Sequence, residues 1–330
     1  MTLIDIHCHT IPEGYCQYIE KFTPAGTYPA IVCKDGIASK VFDDGKFQLT
    51  LNESIFRPEV ILSRMDEAKV DISLISGSPD PGFLAAEYQP EACRVLNDSV
   101  AEIISRTPDR FRGIGVLPWA CPDEAAKEAV RIKVMGFKGV MLYSHCGPLL
   151  VDDPKMDATY KVCQDLALPL SMHPDIPLWY DFVNNYGLVT NVSFVIDTSL
   201  SLLRMIYSGV FDRFPQLKLV MPHAGGILPY LDGRLSYTPP DYRRFVPQDK
   251  KRPPEYLKSN NIWYDISNPS IAVLKMIKDY AGTDRLMFGS DYPSVEHQYL
   301  IDLIGQVGFS ESELEDIKWK NAEKLYGPLQ

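Results

Sequence analysis

The chain has 330 residues, 45% of them hydrophobic and 23% charged, the balance of a soluble globular protein with enough apolar side chain for a large core. A net charge of −10 argues against nucleic acid and against anionic membrane surfaces as partners. It does not exclude an anionic small molecule, because a metal ion or a local Arg can invert the field inside a pocket.

The first predicted element is a strand, Leu3–His7. Residues 10–56 then exceed an ordinary connection. Ala30–Cys33, Ser39–Phe42 and Phe47–Leu51 are short apolar runs separated by Lys34-Asp35-Gly36 and Asp43-Asp44-Gly45, which reads as a small β insertion, placed as a lid near the site. A helix over Pro58–Lys69 leads to a strand at Val70–Ser76, and one over Pro90–Arg106 to Phe111–Leu117. An Ala- and Glu-rich helix from Pro122 to near Gly136 precedes the strand Phe137–Tyr143. The helix Asp157–Leu166 and strand Leu168–His173 follow, then a second long connection, 174–198, containing Trp179, Tyr180 and Phe182. The helix Ser199–Phe211, strands Leu217–His223 and Ile262–Ile266, helix Ser270–Tyr280, strand Arg285–Gly289 and helix Ser310–Tyr326 complete the pattern.

Eight apolar runs of about 5–7 residues, mostly without polar alternation, are what strands covered on both faces require. Alternation with helices predicts a parallel α/β fold, either an open doubly wound sheet or a closed (β/α)₈ barrel. No Gly-rich nucleotide turn follows the first strand, which favours the barrel, as a single domain over residues 1–330.

Seven cysteines, Cys8, Cys16, Cys33, Cys93, Cys121, Cys146 and Cys163, form no C-x-x-C pair and read as reduced thiols. The N-terminus shows no signal-peptide pattern, and no apolar run approaches a membrane span, so a cytoplasmic protein is expected.

There are only six histidines, and five stand at or near predicted strand C-termini. His7 and His9 are two apart on the first strand, so their imidazoles face one side. His173 ends the fifth strand, His223 the sixth, and Asp291 follows the eighth. In a barrel these ends meet at one mouth. Three imidazoles and a carboxylate suit zinc or a similar divalent ion with one position left open. His145, after the fourth strand, reads equally as a loop hydrogen-bonder or a site residue, and His297, at a helix start, as a surface residue.

Ile4-Asp5-Ile6-His7-Cys8-His9, His173-Pro174, Gly209-Val210-Phe211-Asp212-Arg213-Phe214-Pro215, His223-Ala224-Gly225-Gly226, Gly233-Arg234 and Gly289-Ser290-Asp291-Tyr292-Pro293 together resemble the amidohydrolase superfamily. More narrowly they resemble its decarboxylase branch, which holds the aminocarboxymuconate-semialdehyde, isoorotate, γ-resorcylate and 6-methylsalicylate decarboxylases. The resemblance implies a distorted (β/α)₈ barrel, usually in a homodimer or a dimer of dimers. It implies His7, His9, His173 and Asp291 as metal ligands, and His223 and Asp291 as the acid–base pair. Gly139-Val140-Met141-Leu142-Tyr143 lacks the Lys or Glu that bridges two ions in binuclear relatives, so one divalent ion is implied, Zn²⁺ first and Mn²⁺ second. Arg234 would bind the substrate carboxylate from across a subunit interface. Asn52 stands where aminocarboxymuconate-type enzymes carry another substrate-binding Arg, which counts against that substrate; a small ortho-hydroxybenzoate such as 6-methylsalicylate comes first, with aminocarboxymuconate-semialdehyde and pyrimidine carboxylates behind it. Trp179, Tyr180 and Phe182 are candidates to wall its ring. The alternative activity is metal-dependent hydrolysis, by a lactonase or hydratase on the same barrel.

Overall fold

A computed structural model describes residues 2–19, 21, 30–34, 37–41, 48–51, 53–247 and 250–330. Eight parallel strands form one sheet: β1 (Ile4–Thr10), β2 (Ile72–Gly77), β3 (Phe111–Gly115), β4 (Gly139–Tyr143), β5 (Leu170–His173), β6 (Leu219–Met221), β7 (Ile262–Asp265) and β8 (Leu286–Met287). They lie side by side in chain order, with helices between them. β8 returns to β1: Ile6 N donates to Phe288 O (3.0 Å), Asp291 N to His7 O (2.8 Å) and His9 N to Tyr292 O (2.9 Å). These bonds close the sheet into the (β/α)₈ barrel that the alternating pattern predicts.

The strands are the apolar runs of the sequence, most of them shortened, with β1 carried on to Thr10 and β2 to Gly77. Ile4, Leu74, Val140, Leu170, Leu219, Ile262 and Leu286 are all fully buried. The helices present one apolar stripe each. In Gln89–Arg106 the buried residues include Cys93, Leu96, Val100 and Ile103, spaced to share one face. Each such side chain contributes about 1.5–3 kcal/mol through removal from water, which outweighs the helix's modest intrinsic preference.

β1 departs from a regular ladder in a way that shapes the site. Ile4 and Asp5 pair with Ile72 and Ser73, whereas Cys8 pairs with Ile75. Ile6 and His7 therefore stand against the single residue Leu74, a β-bulge. The extra residue shifts the phase of the strand. His7 and His9 share the barrel interior, while Asp5 meets the helix that follows β8. On the opposite side of the seam Gly289 passes so close that a Cβ there would stand 2.8 Å from Asp265 Cβ and 3.1 Å from His7 Cβ. No larger residue fits without displacing both.

The insertion is a three-stranded antiparallel sheet, Ala30–Lys34, Ile37–Val41 and Gln48–Leu51, as the turn pattern predicts. Its two turns, and Asn52, lie outside the described residues. In the second long connection, Trp179 and Tyr180 pack with Ile176, Leu188 and Phe194 around Val183 and Val189. Phe182 faces outward, 86% exposed. The expected Ser199 helix starts earlier, running on from a π-turn at Val189–Ser193. This corrects the reading that no segment could span a membrane: Val189–Ser208 is long and apolar enough to do so by length and composition. Half of it is buried within the protein, and it carries Asp197 and Arg204, so packing accounts for its apolar face.

Candidate metal centre

β1 delivers His7 and His9, the end of β5 delivers His173, and the turn after β8 delivers Asp291. One donor atom from each lies within 4.8 Å of all the others. His7 Nε2 is 3.0 Å from His9 Nε2, and Asp291 Oδ1 is 3.0 Å from His9 Nε2 and 3.3 Å from His7 Nε2.

The outer nitrogens settle the tautomers. His7 Nδ1 donates to Asp265 Oδ2 (2.7 Å), and His173 Nδ1 donates to Pro174 O (2.7 Å). His9 Nδ1 faces Ser76 Oγ (2.9 Å), whose hydroxyl donates to Cys8 O and so accepts from the ring. Each imidazole is held with its Nδ1 proton outward and its Nε2 lone pair inward. Three lone pairs and a carboxylate pointed at one spot repel one another unless a cation sits among them. This donor set fits a divalent ion.

His223 is not one of the four. Its Nε2 lies 3.9 Å from Asp291 Oδ2, the oxygen turned away from His9, and its Nδ1 is buried without a protein partner. Its backbone is left-handed (φ 55°), as is that of Asp291 (φ 60°). Such conformations cost non-glycine residues about 1 kcal/mol or more and persist only where surroundings impose them. Here Asp265 Oδ1 (2.8 Å) and Ser267 Oγ (3.1 Å) accept from His223 N.

A family model described as amidohydrolase matches residues 4–327. The chain belongs to the amidohydrolase family. This amidohydrolase is 30% identical over 282 residues to decarboxylase orsB of Emericella nidulans, covering 80% of this chain and 83% of that protein. It is 28% identical over 334 residues to a 2-amino-3-carboxymuconate-6-semialdehyde decarboxylase of Dictyostelium discoideum, covering 98% and 91% of the two chains. Its barrel superposes on the crystal structure of 5-carboxyvanillate decarboxylase LigW from Sphingomonas paucimobilis with a TM-score of 0.85 at 25% identity, over 98% of each chain. All three of these relatives carry the name of a carboxy-lyase.

Burial and neighbours set the charges of the amidohydrolase's site. Burial pushes His9 and His173 below the usual imidazole range, His173 well below, and the neighbouring His7 pushes the same way. Both are thus neutral and available as ligands at neutral pH. Burial also lowers His7, but Asp291 and Asp265 outweigh it and raise His7 to about 9. Burial raises Asp291, yet the charge on His7 first, and the neighbouring His223 and His9 imidazoles after it, hold it well below the carboxylate range. Without an ion, a proton on His7 therefore takes the cation's place. The sign follows from the raised value: His7's contribution to stability is complete below its unfolded value of 6.5 and is lost as pH rises to about 9. An ion must displace that proton. Zinc binding at pH 7.5 is expected to release about one proton, and to tighten as pH rises toward 9. Calorimetric titration in two buffers of different ionisation heat measures the proton. Heats independent of the buffer would refute it.

The sequence leaves His145 open, puts Arg234 at the substrate and His297 at the surface. His145 is a loop hydrogen-bonder, with Nδ1 3.0 Å from Gly147 O and Nε2 2.9 Å from Ile176 O. Arg234 is exposed on the short helix Asp232–Ser236 and is not among the clustered residues. His297, expected at the surface, is 1% exposed. Its Nε2 lies 2.9 Å from Asp5 Oδ2 and its ring stacks on Tyr292 at 4.7 Å. The residues that orient the rings of two candidate ligands, Ser76 and Asp265, and Ser267, which bonds Asp265 and His223 N, escaped the sequence reading. Ser76 ends the expected strand Val70–Ser76 and Asp265 is next to last in Ile262–Ile266, positions that mark neither as the partner of a histidine ring.

Proposed function

We propose that this amidohydrolase is a metal-dependent, non-oxidative decarboxylase of a small aromatic or conjugated carboxylic acid, with an ortho-hydroxybenzoate such as 6-methylsalicylate as its substrate. The observation that carries this is the inward Nε2 set of His7, His9 and His173 beside an Asp291 carboxylate whose second oxygen faces His223. The family membership and the named decarboxylases among its relatives support it. No observation favours the hydrolytic alternative.

His7, His9, His173 and Asp291 would hold one divalent ion, zinc first for a His-rich set and manganese second. When bound, the ion supplies Lewis-acid stabilisation of the negative charge on the substrate's oxygens. The chain's own groups move the proton. Decarboxylation of an aromatic acid adds a proton to the carbon bearing the carboxylate. The C–C bond then breaks, its electron pair restores the ring, and CO₂ leaves. Asp291 Oδ2 would carry that proton, and His223 Nε2, 3.9 Å away, would exchange it.

The test is CO₂ release from a panel of hydroxybenzoates and related acids, with ion-loaded protein beside chelator-treated protein. Release from one acid, abolished by the chelator, is expected. No release from any acid by protein carrying its ion would sink the reading.

Two stretches of surface are aromatic: Phe182 and Tyr186, and Tyr230, Tyr237, Tyr242 and Phe245, all exposed. Monomers rarely leave so many large apolar side chains in water. We assign these stretches to the interface of a homodimer, or dimer of dimers, through which Arg234, in the second stretch, reaches a neighbouring subunit's substrate carboxylate. Light scattering after size exclusion should give at least twice 37.3 kDa. A monomer at micromolar concentration would refute the assignment. The cytoplasm suits Cys8, Cys93, Cys146 and Cys163, which stay buried as thiols.

A further inference from the structure

The carboxylate of Asp265 is 1% exposed and accepts four hydrogen bonds. Oδ2 takes one, from His7 Nδ1 (2.7 Å). Oδ1 takes three, from His223 N (2.8 Å), Ser267 N (3.0 Å) and Ser267 Oγ (2.6 Å). All four groups are donors, so the position tolerates acceptors only. Among the described residues it is also the one side chain that touches both a candidate ligand's ring and the backbone of His223.

We propose that Asp265 is a positioning residue that fixes the tautomer of His7, and that in doing so it decides whether the centre can hold a metal ion. The inference deepens the proposed metal centre and rests on it, but not on the reaction. His7 ligates through Nε2 only if its proton is on Nδ1. An anionic oxygen opposite Nδ1 keeps the proton there. On its other oxygen, the same carboxylate anchors the left-handed backbone at His223. The spacing of the ligands and the acid–base histidine is therefore set by one group at the end of β7.

An isosteric change makes this testable. In Asp265→Asn the side chain must aim one NH₂ at a donor. Two of the three donors on Oδ1 are backbone N–H groups, whose protons cannot move, so the amide oxygen stays there and the NH₂ turns to His7 Nδ1. That nitrogen can accept only by passing its proton to Nε2, which then points into the site and cannot bind an ion. Asp265→Ala imposes no tautomer. It removes support from His7 without inverting the ring.

Zinc affinity, measured by competition with a chromophoric chelator, should therefore fall about 10-fold in Asp265→Ala and about 100-fold in Asp265→Asn, the span seen when groups that orient ligands are lost. A purely packing role predicts the reverse order, since Asn preserves the shape. Histidine ¹⁵N spectra of ion-free protein above pH 9, with His7 assigned by its loss in His7→Asn, should show an Nδ1 proton on His7 in the wild type. In Asp265→Asn they should show it on Nε2. Asp265→Asn binding zinc within about twofold of wild type, or a wild-type His7 protonated on Nε2, would overturn the proposal. The wild-type spectrum decides even if neither Asp265 variant folds. A wild type that bound no divalent ion would remove the metal centre, while the tautomer measurement would still decide Asp265's role.

Discussion

His223→Ala is expected to keep its metal ion and to lose turnover by about 10²–10⁴-fold, the range for a positioned acid–base group. The imidazole is outside the cluster of four donors, so its removal leaves the ligands and their outer partners in place. What disappears is the nitrogen 3.9 Å from Asp291 Oδ2. The alanine inherits a backbone at φ 55°, a strain the wild-type residue already bears. Metal content by elemental analysis and kcat on the substrate found by CO₂ release separate the two effects. A variant with full metal and full kcat would remove His223 from the chemistry. One without metal would make it part of the centre.

The second large effect falls on stability. Asp5→Ala is expected to lower the unfolding free energy by about 3–5 kcal/mol, the cost of removing one partner from a buried pair. Asp5 is fully buried and accepts from His7 N (3.1 Å), Ser290 N (2.9 Å), Ser290 Oγ (2.6 Å) and His297 Nε2 (2.9 Å). Alanine leaves four donors in a dry interior. The loss should appear as a lower urea midpoint at unchanged slope. A midpoint within error of wild type would show that those donors find other acceptors.

The same pair shows where the sequence stops being readable. Strands buried on both faces announce themselves as apolar runs, because no polar alternation is needed. The clustered donors announce themselves because His7, His9, His173 and Asp291 stand where such runs end. His297 could not be read this way. Its helix-start position says surface, and its burial depends on a carboxylate 292 residues earlier in the chain. Asp265 and Ser76 were invisible for a related reason. They act on ring nitrogens 258 and 67 residues away, and distance along the chain carries no trace of a hydrogen bond. The β1 bulge is likewise a property of pairing with β2, not of Ile6 and His7 themselves. Phe182 and Arg234 looked like binding groups by type, yet within one chain both face outward.

The seam between β1 and β8 has a consequence for how the protein matures. His9 and Asp291 face each other across it, 282 residues apart. On the ribosome, the two histidines of β1 emerge at least 282 residues ahead of the aspartate. Until the segment after β8 has emerged, a growing chain cannot offer the complete set of donors. An ion that needs all four can load only after that point, once the ring of strands has shut. Once held, it clasps the first strand to the segment after the last. Depleting the ion during expression should then leave a finished barrel whose ends are less firmly joined, ready to be loaded later.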